Sequence, residues 1–176
     1  MKRATVVLFL GGEGRTVFQP VLGRPLGSYA FDAVREIGPD AVIAISGPDP
    51  EGRQDWPALV GSVEAGPPVF WLPGEKPVRA PRQAVLRALV TARGLLQKYP
   101  DGDIVAVPAD RPSLRGRTLK ALLRAHRAKG SALTFLSGPG ELGLSGILAL
   151  RASDVFPLLG TPSAPRVPTS FDDMAV

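Results

Sequence analysis

The feature that most constrains this chain is a rhythm. Short, unbroken apolar runs, bounded by glycine or proline, alternate with stretches whose apolar residues recur every three or four positions. The runs are Thr5–Leu10, Ala41–Ile45, Val69–Leu72 and Asp103–Val107. Lacking polar alternation, they read as strands buried on both faces, which is what a parallel sheet covered by helices requires. Leu26, Ala30, Ala33, Val34 and Ile37 mark the stripe of a helix that opens at Pro25 and stops at Gly38-Pro39. Val85, Leu89, Ala92 and Leu96 mark a second helix from Pro81 to about Lys98. Leu119, Leu122 and Leu123 mark a third from Arg117 to Ala128. Ala132 to Leu136 and Gly146 to Leu150 read as two later strands, and Ala152 to Leu159 as a short helix. This alternation predicts an α/β protein: a three-layer α/β/α arrangement on a mostly parallel, Rossmann-like sheet. The chain reads as one domain over residues 1–176, in which the proline-rich Thr161 to Pro168 is a loop leading to a tail.

Composition removes several functional classes. A chain of 176 residues that is 44% hydrophobic and 21% charged has enough apolar surface for a genuine core, so wholesale disorder is excluded. The absence of cysteine excludes disulfides, thiolate metal sites and a cysteine nucleophile. A single histidine, His126, excludes a multi-histidine zinc centre. No apolar run approaches the length of a membrane span. Thr5 to Leu10 follows Lys2 and Arg3 as in a secretory leader, but it is too short and runs straight into glycines, so the reading is a strand in a cytoplasmic protein. The net charge of +5 suits anionic ligands without choosing among them.

Two segments can carry chemistry. The first strand runs from Leu10 into Gly11-Gly12-Glu13-Gly14-Arg15. Glycines there let backbone N–H groups crowd around phosphates, and the arginine after them offers a planar, permanently charged fork for phosphate oxygens. The pattern is neither GxGxxG nor a phosphate-binding loop ending in Gly-Lys-Ser/Thr. A plain glycine-rich turn would use the same residues. The second segment is Val107-Pro108-Ala109-Asp110-Arg111-Pro112. A carboxylate at the carboxyl end of a central parallel strand lies where open α/β sheets bind ligands, and it suits Mg²⁺, which bridges phosphates. An aspartate in a turn is the common alternative. Both segments fall on the same rim of one sheet, which strengthens the joint reading.

Val6-Val7-Leu8 leading to the glycine turn, followed by Gly23-Arg24-Pro25-Leu26, resembles the N-terminus of the nucleotidyltransferase family. The sugar-phosphate nucleotidyltransferases and the molybdenum-cofactor guanylyltransferase-like enzymes are equally similar. Ala109-Asp110-Arg111-Pro112-Ser113-Leu114 is similar to the family's Gly-Asp-x-Pro segment, whose aspartate holds the metal. Leu119 to His126 resembles the helix that follows it, and Ser145-Gly146-Ile147 the later Thr-Gly-Ile strand entry. Val167 to Ala175 resembles the family's tail.

The resemblance implies a nucleotide-diphospho-sugar transferase fold. It also implies transfer of a nucleoside monophosphate from a nucleoside triphosphate to a phosphorylated acceptor, with release of pyrophosphate. Leu10, Gly11, Gly12, Glu13 and Gly14 would bind the nucleotide, Arg15 and Asp110 would be catalytic, and Asp110 would hold Mg²⁺. Arg79 or Arg82, in a segment resembling the arginine-containing equivalent in methylerythritol cytidylyltransferase, would reach the acceptor phosphate. The sequence departs from the pattern in two places. The family's phosphate-contacting lysine falls at Thr16, so either Arg15 carries its charge or the chain is a degenerate nucleotide-binding or regulatory module. Bulky Phe9 and Leu10 stand where small residues are usual.

The remaining candidates have simpler readings. Arg117, Lys120, Arg124 and Arg127 fall opposite the third helix's apolar stripe, as a solvated face does. Few aromatics interleave with these charges, so a nucleic-acid adaptor is the weakest reading. His126 lies on the apolar stripe near the helix end and reads as a packing residue. Trp56 and Trp71 read as packing residues, and Asp172 and Asp173 as the start of a last helical turn.

Overall fold

The computed structural model describes residues 4–10, 15–46, 66–74, 81–111, 113–137, 144–157 and 159. Its centre is a six-stranded sheet built from β1 (Ala4–Phe9), β4 (Ala41–Ser46), β5 (Val69–Pro73), β6 (Asp103–Pro108), β7 (Leu133–Ser137) and β8 (Leu144–Arg151). A separate two-stranded hairpin joins β2 (Pro20–Val21) to β3 (Arg24–Pro25). The large sheet has the order β5-β4-β1-β6-β8-β7. Strands β5, β4, β1 and β6 are mutually parallel, in registers such as Val7 with Ile43 and Val7 with Ala106. β8 runs antiparallel to both of its neighbours.

Every residue of β1 and of β6 is buried, as expected of strands covered on both faces. Alternate side chains enter two cores. Val6, Leu8, Val42, Ala44, Val105 and Val107 share one with α1 (Leu26–Arg35) and α3 (Gly116–Lys129). Val7, Phe9, Ile43, Ile45, Ile104 and Ala106 share the other with α2 (Pro81–Leu96) and the short α4 (Ala152–Val155). Fully burying one such aliphatic side chain stabilises by roughly 1.5–3 kcal/mol, so the two apolar layers are the main source of order. This is the expected α/β/α arrangement, with Trp71 packed against Phe31 at a ring separation of 5.9 Å.

Local details follow from residue chemistry. α3 ends at Gly130, whose φ of 59° few other residues tolerate; its N–H and that of Ser131 close back on Arg127 and His126 carbonyls. Pro25 lies one position outside α1 rather than within it, because its ψ of 136° is extended and it pairs with Pro20 in the hairpin; its carbonyl accepts the Ser28 hydroxyl at 2.7 Å. The hairpin and a single 3-10 turn, η1 (Arg15–Phe18), fill the stretch before α1. No helix among the described residues is long and apolar enough to cross a membrane. The region of Trp56 and the tail with Asp172 and Asp173 lie outside the described residues.

Candidate active site

The strand order changes direction beside β1. After β1 the chain builds outward through β4 and β5, then returns to place β6 on the other side of β1. Open α/β sheets bind ligands in a crevice at such a switch point, so the carboxyl ends of β1 and β6 mark the candidate site. Phe9 pairs with Pro108 at this rim, and the Ala109 N–H donates to the Phe9 carbonyl at 2.9 Å. The Leu10 N–H donates to the Ile45 carbonyl, also at 2.9 Å. Both exits are thus pinned before the chain leaves the sheet.

Leu10 and Ala109 are fully buried and belong to one cluster with Val17 and Leu114. The side chain of Leu10 is therefore core, so only its main chain is available to a ligand. Its bulk, and that of Phe9 in the opposite core, is accommodated within the two apolar layers. Arg15 begins η1, a turn anchored by the fully buried Val17 two residues on. Gly11, Gly12, Glu13, Gly14 and Arg79 lie outside the described residues. Arg82 lies in the first turn of α2, and its side chain is likewise outside them.

Asp110 stands two residues past β6 with its side chain 44% exposed. Its carboxylate meets the guanidinium of Arg111, with Oδ1 3.4 Å from Nε. Arg111 is rooted by its carbonyl, which accepts the Leu114 N–H at 3.1 Å, while Leu114 itself is buried. The backbone carrying both charges is therefore fixed on each side, and the charged ends project into solvent.

α1, α2 and α3 carry no acidic residue in their first turns, although the Glu36 carboxylate lies against Gly116 at the start of α3. Two glycines also shape the rim, and sequence reasoning passed over their geometry. Gly146 sits in β8 at φ 75°, and a β-carbon on it would stand 3.6 Å from Pro108. Gly74, after β5, approaches the Ser46 carbonyl so closely that an added β-carbon would come within 2.3 Å of it.

Among the described residues no group of three or more metal-binding side chains gathers. One exposed carboxylate still fits Mg²⁺, which keeps most of its waters and binds through one or two carboxylates together with substrate phosphates.

His126 has no part in this site. It is buried near the amino end of β6, its Nδ1 3.0 Å from the Thr134 hydroxyl and its Nε2 3.7 Å from Asp103. Arg127 also turns inward, donating from Nε to Asp103 at 2.6 Å, so it leaves the solvated face. Arg117, Lys120 and Arg124 remain exposed on that face as expected.

Comparisons with known proteins agree with this architecture. The Bifunctional protein GlmU of Thermus thermophilus is 31% identical over 134 residues, covering 75% of this chain and 26% of the relative. That of Paramagnetospirillum magneticum is 28% identical over 153 residues, covering 81% and 31%. The chain thus spans about a third of these relatives' length or less. Among solved structures, 4-diphosphocytidyl-2C-methyl-D-erythritol synthase from Anaerococcus prevotii superposes with TM-score 0.64 at 10% identity, over 98% of this chain and 82% of that one. A manganese complex of a Mycobacterium tuberculosis H37Rv protein does so with TM-score 0.63 at 17% identity, over 90% and 75%. At such identities these structures speak for a shared fold. The model of the MobA-like NTP transferase domain matches residues 11–162, and the chain belongs to that family.

Proposed function

We propose that this protein is a divalent-metal-dependent nucleotidyltransferase, acting as one unit over residues 1–176. The observation that carries the reading is Asp110: an exposed carboxylate on pinned backbone, just past β6 at the switch point beside β1. Membership of the MobA-like NTP transferase family supports it. So do the names of its relatives and of its structural neighbours, which include a UDP-glucose pyrophosphorylase complexed with UDP-glucose.

A phosphate oxygen of a phosphorylated acceptor attacks the α-phosphorus of a nucleoside triphosphate. The bond from that phosphorus to the bridging oxygen breaks, and pyrophosphate leaves with the electron pair. Such transfers ask little covalent chemistry of the protein; its work is positioning and charge stabilisation. Gly11, Gly12, Glu13 and Gly14, with the main chain of Leu10, cradle the triphosphate, and Arg15 offsets its charge. Arg79 or Arg82 orients the acceptor phosphate. Asp110 would hold Mg²⁺, which would supply neutralisation of the negative charge on the phosphates.

Replacing Asp110 tests this reading. The side chain is exposed, so Asp110→Ala is expected to keep its circular dichroism and melting temperature. Mg²⁺-dependent pyrophosphate release should fall by at least about a hundredfold, as when a charge-stabilising group is removed from a transfer site. Undiminished turnover in a folded variant overturns the assignment.

A further inference from the structure

Arg111 follows the proposed metal carboxylate directly, and a cation there opposes a divalent ion for the same oxygens. Consecutive side chains commonly diverge, yet here the guanidinium Nε stands 3.4 Å from the Asp110 carboxylate. Both side chains are nearly half exposed, at 47% and 44%. An exposed pair of this kind is weakly held, so it is readily exchanged. The root of Arg111 is by contrast fixed, through its carbonyl on the Leu114 N–H and the buried Leu114 beyond. A fixed root with a weakly held head lets the guanidinium pivot without moving the loop. The head then remains beside the candidate site, where a planar fork suits phosphate oxygens.

We propose that Arg111 is an exchangeable counter-ion of Asp110: it holds the carboxylate when no metal is present, and on binding of the metal–nucleotide complex it hands the carboxylate over and moves to the nucleotide's phosphates. This rests on the reading of Asp110 as the metal holder. Free metal ion has to displace a cation and gains no replacement contact for it. Metal arriving with a triphosphate gives the displaced guanidinium a new anionic partner. The device couples the two ligands, so that metal and nucleotide bind as a unit.

The test uses the full chain. Mn²⁺ is titrated alone, followed by the electron paramagnetic resonance signal of the free ion. The Mg²⁺ complexes of ATP, CTP, GTP and UTP are titrated in turn by calorimetry. Arg111→Gln is expected to tighten Mn²⁺ binding about two- to fivefold, because an exposed competing ion pair is removed. The same variant should weaken binding of the preferred metal–nucleotide complex about tenfold, through loss of a charge-assisted contact. Arg111→Lys should restore the charge and only part of the nucleotide affinity, since it lacks the fork. Opposite changes in the two affinities are the signature, because a merely structural role lowers both together. Parallel losses, or no change in either, overturn the proposal. Asp110→Asn, titrated alongside, separates the two claims. If Mn²⁺ binds Asp110→Asn as it binds the parent, the metal assignment itself fails, whatever Arg111 does.

Discussion

A buried histidine is costly unless its polar atoms have partners, and His126 has them at the end of the sheet away from the candidate site. Thr134 meets Nδ1, Asp103 lies beyond Nε2, and Arg127 holds the other oxygen of Asp103. Burial pushes the imidazole below its ordinary value of 6.5. Asp103 and Asp154 pull it back upward, while Arg151 and Arg127 push it further down. The folded protein therefore keeps His126 neutral at a pH where the unfolded chain has already taken up a proton. Stability from this group is fully present above the ordinary histidine value and is lost as pH falls below it. Thermal unfolding followed from about pH 7 to about pH 5 should show a falling Tm with a component absent in His126→Gln. Equal slopes for parent and variant would show that the buried imidazole does not contribute. From the sequence, His126 was legible as a packing residue because it sits on the apolar stripe. Its partners were not legible, since Asp103 and Thr134 reach it only through the sheet.

At the scale of elements, the long strands and helices could be read because each announces itself by an apolar run or a 3.6-residue stripe. The hairpin at Val21-Leu22-Gly23-Arg24 could not. Both of its strands are two residues long, and each contains a proline. Its turn places Leu22 at φ 49° and Gly23 at φ 79°, where Asn-Gly is the usual signal. The direction of β8 was equally hidden, because a buried strand has the same apolar look in either orientation; what separates it from the others is its short connection to β7. The rim glycines show how an element's end is set by contact rather than propensity. Gly74 donates its N–H to the Ser46 carbonyl at 2.9 Å, and a β-carbon there would collide with that same oxygen. The clash is with main chain, so relief requires β5 to move away from β4. Gly74→Ala should therefore destabilise the protein by about 1–3 kcal/mol, the range for forced overpacking. Denaturant unfolding measures it directly, and an unchanged midpoint would mean that the rim yields without cost.

For the molecule as a whole, the fold puts its two tasks at opposite ends of the sheet. The His126–Asp103 cluster secures the amino end of β6, while Asp110 and its pinned loop lie at the carboxyl end. The candidate site was legible in outline through Asp110, which must fall at the carboxyl rim once β6 is parallel to β1, whereas the glycine turn lies outside the described residues. How tightly that rim binds, and whether binding leads to chemistry, depends on contacts made only with ligand. Linkage makes this measurable without knowing the acceptor. A ligand at a hundred times its dissociation constant stabilises the native state by about 2.7 kcal/mol, which for a chain of this size raises Tm by about 5–10 °C. Across ATP, CTP, GTP and UTP, the proposed role of Asp110 as metal holder predicts for one nucleotide a shift of this order with Mg²⁺ and a much smaller one without it. Pyrophosphate should then appear when the matching phosphorylated acceptor is added. Equal shifts with and without metal, and no pyrophosphate with any acceptor, would instead make Thr16, standing in the lysine's place, the decisive residue: the rim would then bind nucleotide as a regulatory module and leave it intact.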